Sequence, residues 1–189
     1  MKALIIFESM FGNTQSIAHA VAEGLGDAYD VRVADVATMP RAYGVDLVVV
    51  GGPTHAFGMS RPSTREDARR QGTVREGAVA AGLREYFDCS PVLHGLAAAA
   101  FDTKINKPLV PGSAARKAQK ELRRLGCRIV LPAEHFLVTG TGGPLLEGER
   151  ERARQWGRPS RRPRPGSTTA CEPRPAAARR SGRTEGRRR

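Results

Sequence analysis

The chain has 189 residues, a mass of 20.4 kDa and a formal charge of +12. With 40% hydrophobic residues and a mean hydropathy of −0.40 there is apolar material for one buried core. No run of ~18 apolar residues is present to span a membrane. The basicity is uneven: residues 158–189 hold eleven Arg against two Glu, which is +9 of the total, so residues 1–157 are only slightly basic. Cys89, Cys127 and Cys171 are too few and too far apart for a disulfide framework, and no CxxC or paired Cys/His spacing suits zinc. The opening MKALIIF is too short for a secretory apolar region and lacks a small-residue cleavage site. A cytoplasmic, reducing location is the expectation.

In chain order, residues 3–7 are a short apolar run and predict a buried strand. From Asn13 the period changes: Ile17, Val21 and Leu25 recur every four residues, and Gly26 ends a helix. Residues 31–36 alternate and predict a second strand, followed by a turn over ATMPRAYG. Residues 46–50, DLVVV, predict a third strand ending at Gly51-Gly52-Pro53. The stretch 64–87 is helix-compatible, broken near Gly72, and residues 96–101, LAAAAF, predict a fourth strand. Ser113 caps a helix with the stripe Ala115, Ala118, Leu122 and Leu125, which Gly126 terminates. Residues 127–139 hold a fifth strand interrupted at Pro132, and a last helix runs from about 145 to 156. Apolar strands alternating with amphipathic helices imply an α/β domain, doubly wound, with a parallel sheet covered on both faces. Such sheets bind ligands beyond the carboxyl ends of their strands.

The first of those ends carries Ser9, Met10, Phe11, Gly12, Asn13 and Thr14 between a strand and a helix start. Hydroxyls stand at both ends, a glycine permits close backbone approach, and main-chain N–H groups face outward with the positive end of the helix dipole behind them. This is a cradle for one terminal phosphate held by neutral donors. There is no GxxxxGK[ST] for a nucleoside triphosphate and no GxGxxG after the first strand. A phosphoacceptor receiver domain would need clustered acids after strand one and an Asp where Gly51 and Gly52 stand.

This loop resembles the phosphate loop of the flavodoxin family, [ST]-x-T-G-x-T, with Phe11 in place of the central Thr. DLVVVGGPTHAFGMSRPS is similar to the family's third strand and flavin loop, and residues 138–157 are similar to its strand-five end and last helix. The resemblance covers residues 1–157. It implies a flavodoxin-like three-layer sandwich with a five-stranded parallel sheet of order 2-1-3-4-5, of the short-chain type. It also implies FMN as cofactor and one- or two-electron exchange with redox partner proteins.

By the same resemblance Pro53, Thr54, His55, Ala56, Phe57 and Gly58 cover one side of the flavin ring, with Phe57 or His55 as the stacking group. Gly58 is suited to a peptide flip that offers a carbonyl to the reduced ring. The loop Asp102, Thr103, Lys104, Ile105, Asn106, Lys107 serves the other face, where a Lys104 cation would favour reduced anionic flavin. Gly140-Thr141-Gly142-Gly143 reads as a flexible connector, and His19, His94 and His135 receive no role.

Residues 158–189 contain no Ile, Leu, Val, Met or aromatic residue, so they are expected to form a disordered tail. One reading is a basic arm that binds nucleic acid. The favoured one is a change of reading frame near Arg158, because the resemblance stops there in mid-helix. Three functions compete. The first is an FMN electron carrier; the second is an NAD(P)H:quinone reductase of the same fold; the third is a flavin-free module with a nucleic-acid-binding tail. None calls for a membrane.

Overall fold

The computed structural model describes residues 1–55, 58–107 and 112–158. Within them β1 (Lys2–Phe7) is the expected apolar run, buried after its first residue. Gly12, at φ 91°, turns the chain into α1 (Asn13–Leu25), a conformation that glycine adopts without a Cβ penalty. Then come β2 (Asp30–Asp35), a short 3₁₀ turn over Val36–Thr38, and β3 (Leu47–Pro53). Next are α2 (Pro62–Gln71), α3 (Leu83–Cys89) and β4 (Ala97–Ile105). The described chain ends with α4 (Ala114–Arg124), β5 (Arg128–Ile129), β6 (Glu134–Val138) and α5 (Glu149–Gly157).

Every strand pair is parallel, and the order is β2-β1-β3-β4-β5, with β6 also beside β4. β5 pairs with Ala97 and Ala98, whereas β6 pairs with Phe101 to Ile105. They are two pieces of one lane, parted around Pro132, which has no N–H to give a ladder. The expected five-lane order 2-1-3-4-5 is therefore the one observed.

The period-two pattern splits the core into two layers. Leu4, Ile6, Val48, Val50 and Ala100 face Leu83, Phe87, Ala115, Ala118 and Leu122. Ile5, Phe7, Val49 and Phe101 face Ile17, Val21, Leu25 and Ala153. Burying each large aliphatic side chain contributes about 1.5–3 kcal/mol. In the second layer α1 and α5 cross closely: a Cβ on Gly157 would stand 2.5 Å from the Val21 carbonyl oxygen. Among the described residues no helix is long and apolar enough to cross a membrane.

Three boundaries differ from the expectation. β4 does not stop at Phe101: Asp102 to Ile105, expected as loop, continue the strand. Their backbones are paired on both sides, Gly52 with Asp102 and Pro53 with Thr103 on β3, and Phe101–Ile105 with β6. The stretch 64–87 holds α2 and α3, but α2 starts earlier, at Pro62, and residues 72–82 between them are not helical. The last helix begins at Glu149, because Leu145 turns back in an antiparallel bridge to Val138. Residues 159–189, expected as a tail, lie outside the described residues.

Candidate functional site

β1 delivers Ser9 to the carboxyl end of the sheet, and the chain turns at once into α1. The first helical N–H with an acceptor is that of Ser16, which bonds the Gly12 carbonyl. Those of Asn13, Thr14 and Gln15 have no acceptor among the described residues, the usual condition of a helix start. Ser9 Oγ accepts the Gly12 N–H at 3.1 Å, which leaves the hydroxyl proton free to donate.

Arg75 orients this turn, which nothing in the sequence pattern announces. Its main-chain N–H bonds Met10 O at 2.9 Å, while its guanidinium reaches Ser9 O at 3.3 Å and Asp35 at 2.9 Å. In a trans peptide the C=O and N–H point opposite ways. Holding the carbonyls of Ser9 and Met10 on one side therefore turns the amides of Met10 and Phe11 to the other. The Arg75 charge is itself matched by Asp35.

The turn opens on a cavity of about 340 Å³. Ser9, Met10, Phe11, Asn13 and Thr14 line it from the first loop; Pro53, Thr54 and His55 line it from the third strand's end; Thr103 and Lys104 line it from β4. Ten of the expected site residues are thus brought together. Ala56 and Phe57 lie outside the described residues. Gly12, Gly58 and Asp102 stand behind the wall rather than in it.

Asp102 is the post to which that wall is tied. It is 0% exposed. Its Oδ2 accepts Thr54 Oγ1 at 2.9 Å, Ser113 Oγ at 2.8 Å and the Ala115 N–H at 2.9 Å, while Oδ1 accepts His135 Nδ1 at 2.8 Å. Burial alone would push its carboxyl up. The imidazole, the amide and the hydroxyl outweigh burial and hold it below the usual range. Thr103, the next residue, points to the opposite face and shares a 2.8 Å hydrogen bond with Thr14. One strand end thus fixes the flavin-type loop on one side and the phosphate-type turn on the other.

Gly58 is at φ 153° and exchanges two main-chain hydrogen bonds with His55, at 2.9 and 2.8 Å. Both its N–H and its C=O are engaged in closing that loop. His55 Nε2 is buried without a partner, and burial, reinforced by Arg65, keeps the ring's pKa below its ordinary value. Beneath it Glu8 is 1% exposed; Oε2 accepts the Leu83 N–H at 2.9 Å and Oε1 has no partner. Burial pushes the Glu8 carboxyl up, so it favours the protonated form. Arg65, also buried, bonds Ser60 and binds Glu85 with both arms.

Ile105, from the loop expected at the ring's other face, also lines the cavity, and two wall residues were not expected: Val138 and Thr141. The glycine string is more than a connector. Asn13 Nδ2 donates to Gly143 O at 2.6 Å, and the Phe11 ring lies against Gly142. Half-buried Phe11 also packs with Met10, Val74, Ala68 and Ala78, which explains how an aromatic is accommodated beside the turn. His135 acquires a partner in Asp102, 33 residues away. Among the described residues no cluster of side chains could hold a metal ion.

Chemically the site offers neutral donors at one end and a flat slot with apolar and hydroxyl walls at the other. Residues 5–83 match the family described as Flavodoxin. No curated protein sequence matches the chain. Among solved structures, a flavodoxin from the domain Archaea superposes with a TM-score of 0.57 at 21% identity, over 83% of this chain and 94% of that one. Oxidised flavodoxin 1 from Bacillus cereus gives 0.57 at 21%, over 83% and 95%. Flavodoxin 2 from the same organism gives 0.58 at 18%, with the same coverage. These identities speak for the fold, and the sequence match speaks for its first half. Residues 5–83 are thus similar in sequence to the Flavodoxin family, and the strand order 2-1-3-4-5 gives the chain a flavodoxin-like fold.

Proposed function

We propose that this protein binds FMN in the cavity between the first loop, the end of β3 and the end of β4, and carries electrons between redox partner proteins in the cytoplasm. The observation that supports the reading most is the pair of acceptor-free amides at Asn13 and Thr14, residues that line a slot of about 340 Å³. That volume suits a flat, drug-sized ligand. When bound, FMN supplies reversible uptake of one or two electrons.

The chain's own residues bind and orient. The α1 amides and the Ser9 hydroxyl hold the phosphate, with the helix dipole adding to the attraction. Pro53, Thr54 and His55 would flank the ring on one side of the slot, and Thr103 and Lys104 on the other. Asp102 sets the Thr54 hydroxyl and so the position of the loop. No acid or base is required for outer-sphere electron exchange, so the reading is of a carrier rather than a stand-alone oxidoreductase. The flavodoxin-like domain, residues 1–157, carries this function.

A visible spectrum of the purified protein, before and after FMN is added, tests the reading. Flavin bands that shift on binding, with stoichiometry near one, support it. A protein that stays colourless after FMN is added overturns it. Steady NAD(P)H oxidation with a quinone acceptor would replace the carrier by a quinone reductase.

A further inference from the structure

The segments that follow β3 and β4, whose ends wall the cavity, carry cations that form no ion pair among the described residues. Arg84 reaches from α3 across the loop after β3, where Nε donates to Ser60 O at 2.8 Å and Nη2 to Met59 O at 3.3 Å. These are neutral carbonyls, so the positive charge stays uncompensated. Lys117, exposed on α4, lays its chain along Gly58, its ammonium 2.8 Å from where a Cβ on that glycine would stand. Arg61 is exposed at the start of α2. Lys104 lines the cavity itself, and Lys107 is exposed just past the end of β4.

None of these five forms an ion pair among the described residues. Residues 56–57 and 108–111 contain no Asp or Glu that could do so. Of the carboxylates in this part of the fold, Glu8 and Asp102 are buried and Glu85 is bound by Arg65, while Asp67 and Glu76 are exposed, so the five cations outnumber the exposed unpaired acids.

Building on the flavin-carrier reading, we propose that this set of cations is the docking surface for an acidic redox protein. Five like charges on the segments that follow β3 and β4 attract a negative partner across roughly 10 Å at 0.1 M salt, the Debye length. They steer it toward the point where electrons would leave, which raises the encounter rate. Cations set singly on separate loops and helix starts suit a protein surface better than a nucleic-acid strand, which follows a continuous basic groove with stacking aromatics.

The test uses the full chain, so that the Arg-rich residues after 158 are common to every sample. Isothermal titration with a plant-type [2Fe–2S] ferredoxin, an acidic redox protein, is run at about 20 and 200 mM salt, which moves the screening length severalfold. Binding should weaken with salt and weaken at least about fivefold in Lys107→Glu/Lys117→Glu. Arg41→Glu/Arg128→Glu makes the same change of charge at the amino ends of the strands and should leave binding unchanged. Equal weakening by both pairs, or by neither, overturns the proposal. So does a DNA duplex of about 20 base pairs whose binding is lost in the first pair while ferredoxin binds no sample. The titration is read with and without added FMN. Failure to take up flavin shows in the absorbance and failure to dock shows in the heat, so the two results stay separate.

Discussion

Thr14 and Thr103 join the first turn of α1 to the end of β4 by a buried hydrogen bond of 2.8 Å between their hydroxyls, across 89 residues of chain. One of the two hydroxyl protons is therefore held in the scaffold, and the position of α1 depends on β4.

Thr103→Val should cost about 1–2 kcal/mol in urea unfolding, because the Thr14 hydroxyl is left buried and unpaired. Thr14→Val/Thr103→Val removes both polar groups and should regain at least half of that loss. A double variant less stable than the single one would mean that Thr14 has another partner.

Gly58→Ala places a side chain at φ 153°, where Lys117 already lies. A destabilisation of about 1–3 kcal/mol is expected from the backbone alone. Adding Lys117→Ala should relieve only the contact. Full recovery in the double variant would show that the backbone carries no strain.

Phe11→Thr returns a hydroxyl to the centre of the phosphate-type turn. A hydrogen bond to a charged group is worth about 1.5–3 kcal/mol, so FMN should bind at least ~10-fold more tightly. A fluorescence-quenching titration measures it. Weaker binding would mean that the contacts of Phe11 with Gly72 and Gly142 shape the turn more than the hydroxyl helps.

Two buried carboxyls predict opposite limbs of the pH–stability curve. Glu8 has a raised pKa when folded, so its contribution is complete below the ordinary carboxylate range and is lost as pH rises through the folded value. Asp102 has a lowered one, so its contribution is present above the ordinary range and is lost as pH falls through the folded value. Glu8→Gln should flatten the first limb and Asp102→Asn the second, in denaturant melts across pH. Parallel curves for Glu8→Gln and wild type would contradict the burial argument.

Lys104, half-buried in the cavity wall, should stabilise added negative charge. In FMN-loaded protein Lys104→Gln is expected to lower the potential of the last reduction step, as read by spectroelectrochemical titration. An unchanged potential would place the ammonium out of reach of the ring.

The elements that were readable are those whose stabilisation is local. The ALIIF run, the four-residue repeat through Ile17, Val21 and Leu25, and the Ser113 cap all carry their reason within a few residues. Ser113 Oγ does accept the Arg116 N–H at 2.9 Å. The strand end at Asp102–Ile105 reads as loop because Asp102, Thr103 and Lys104 are polar, and only pairing to β3 and β6 makes them a strand. The same holds for the site. The phosphate-type turn is contiguous in sequence and so was legible. Arg75 reaches Ser9 from 66 residues away and Asp102 binds Thr54 from 48 away, and no local pattern marks either.

The broken lane beside β4 bears on how the protein behaves when concentrated. β5 offers two residues and β6 five, with Pro132 between them, so that margin of the sheet presents no long row of free amides. The opposite margin, β2, carries Asp30, Arg32 and Asp35 along six residues. A growing fibril recruits by laying one extended segment along another, and it needs a straight, uncharged border to do so. Neither border of this sheet supplies one, so the same proline that divides the last lane also guards the folded protein against self-templated polymerisation.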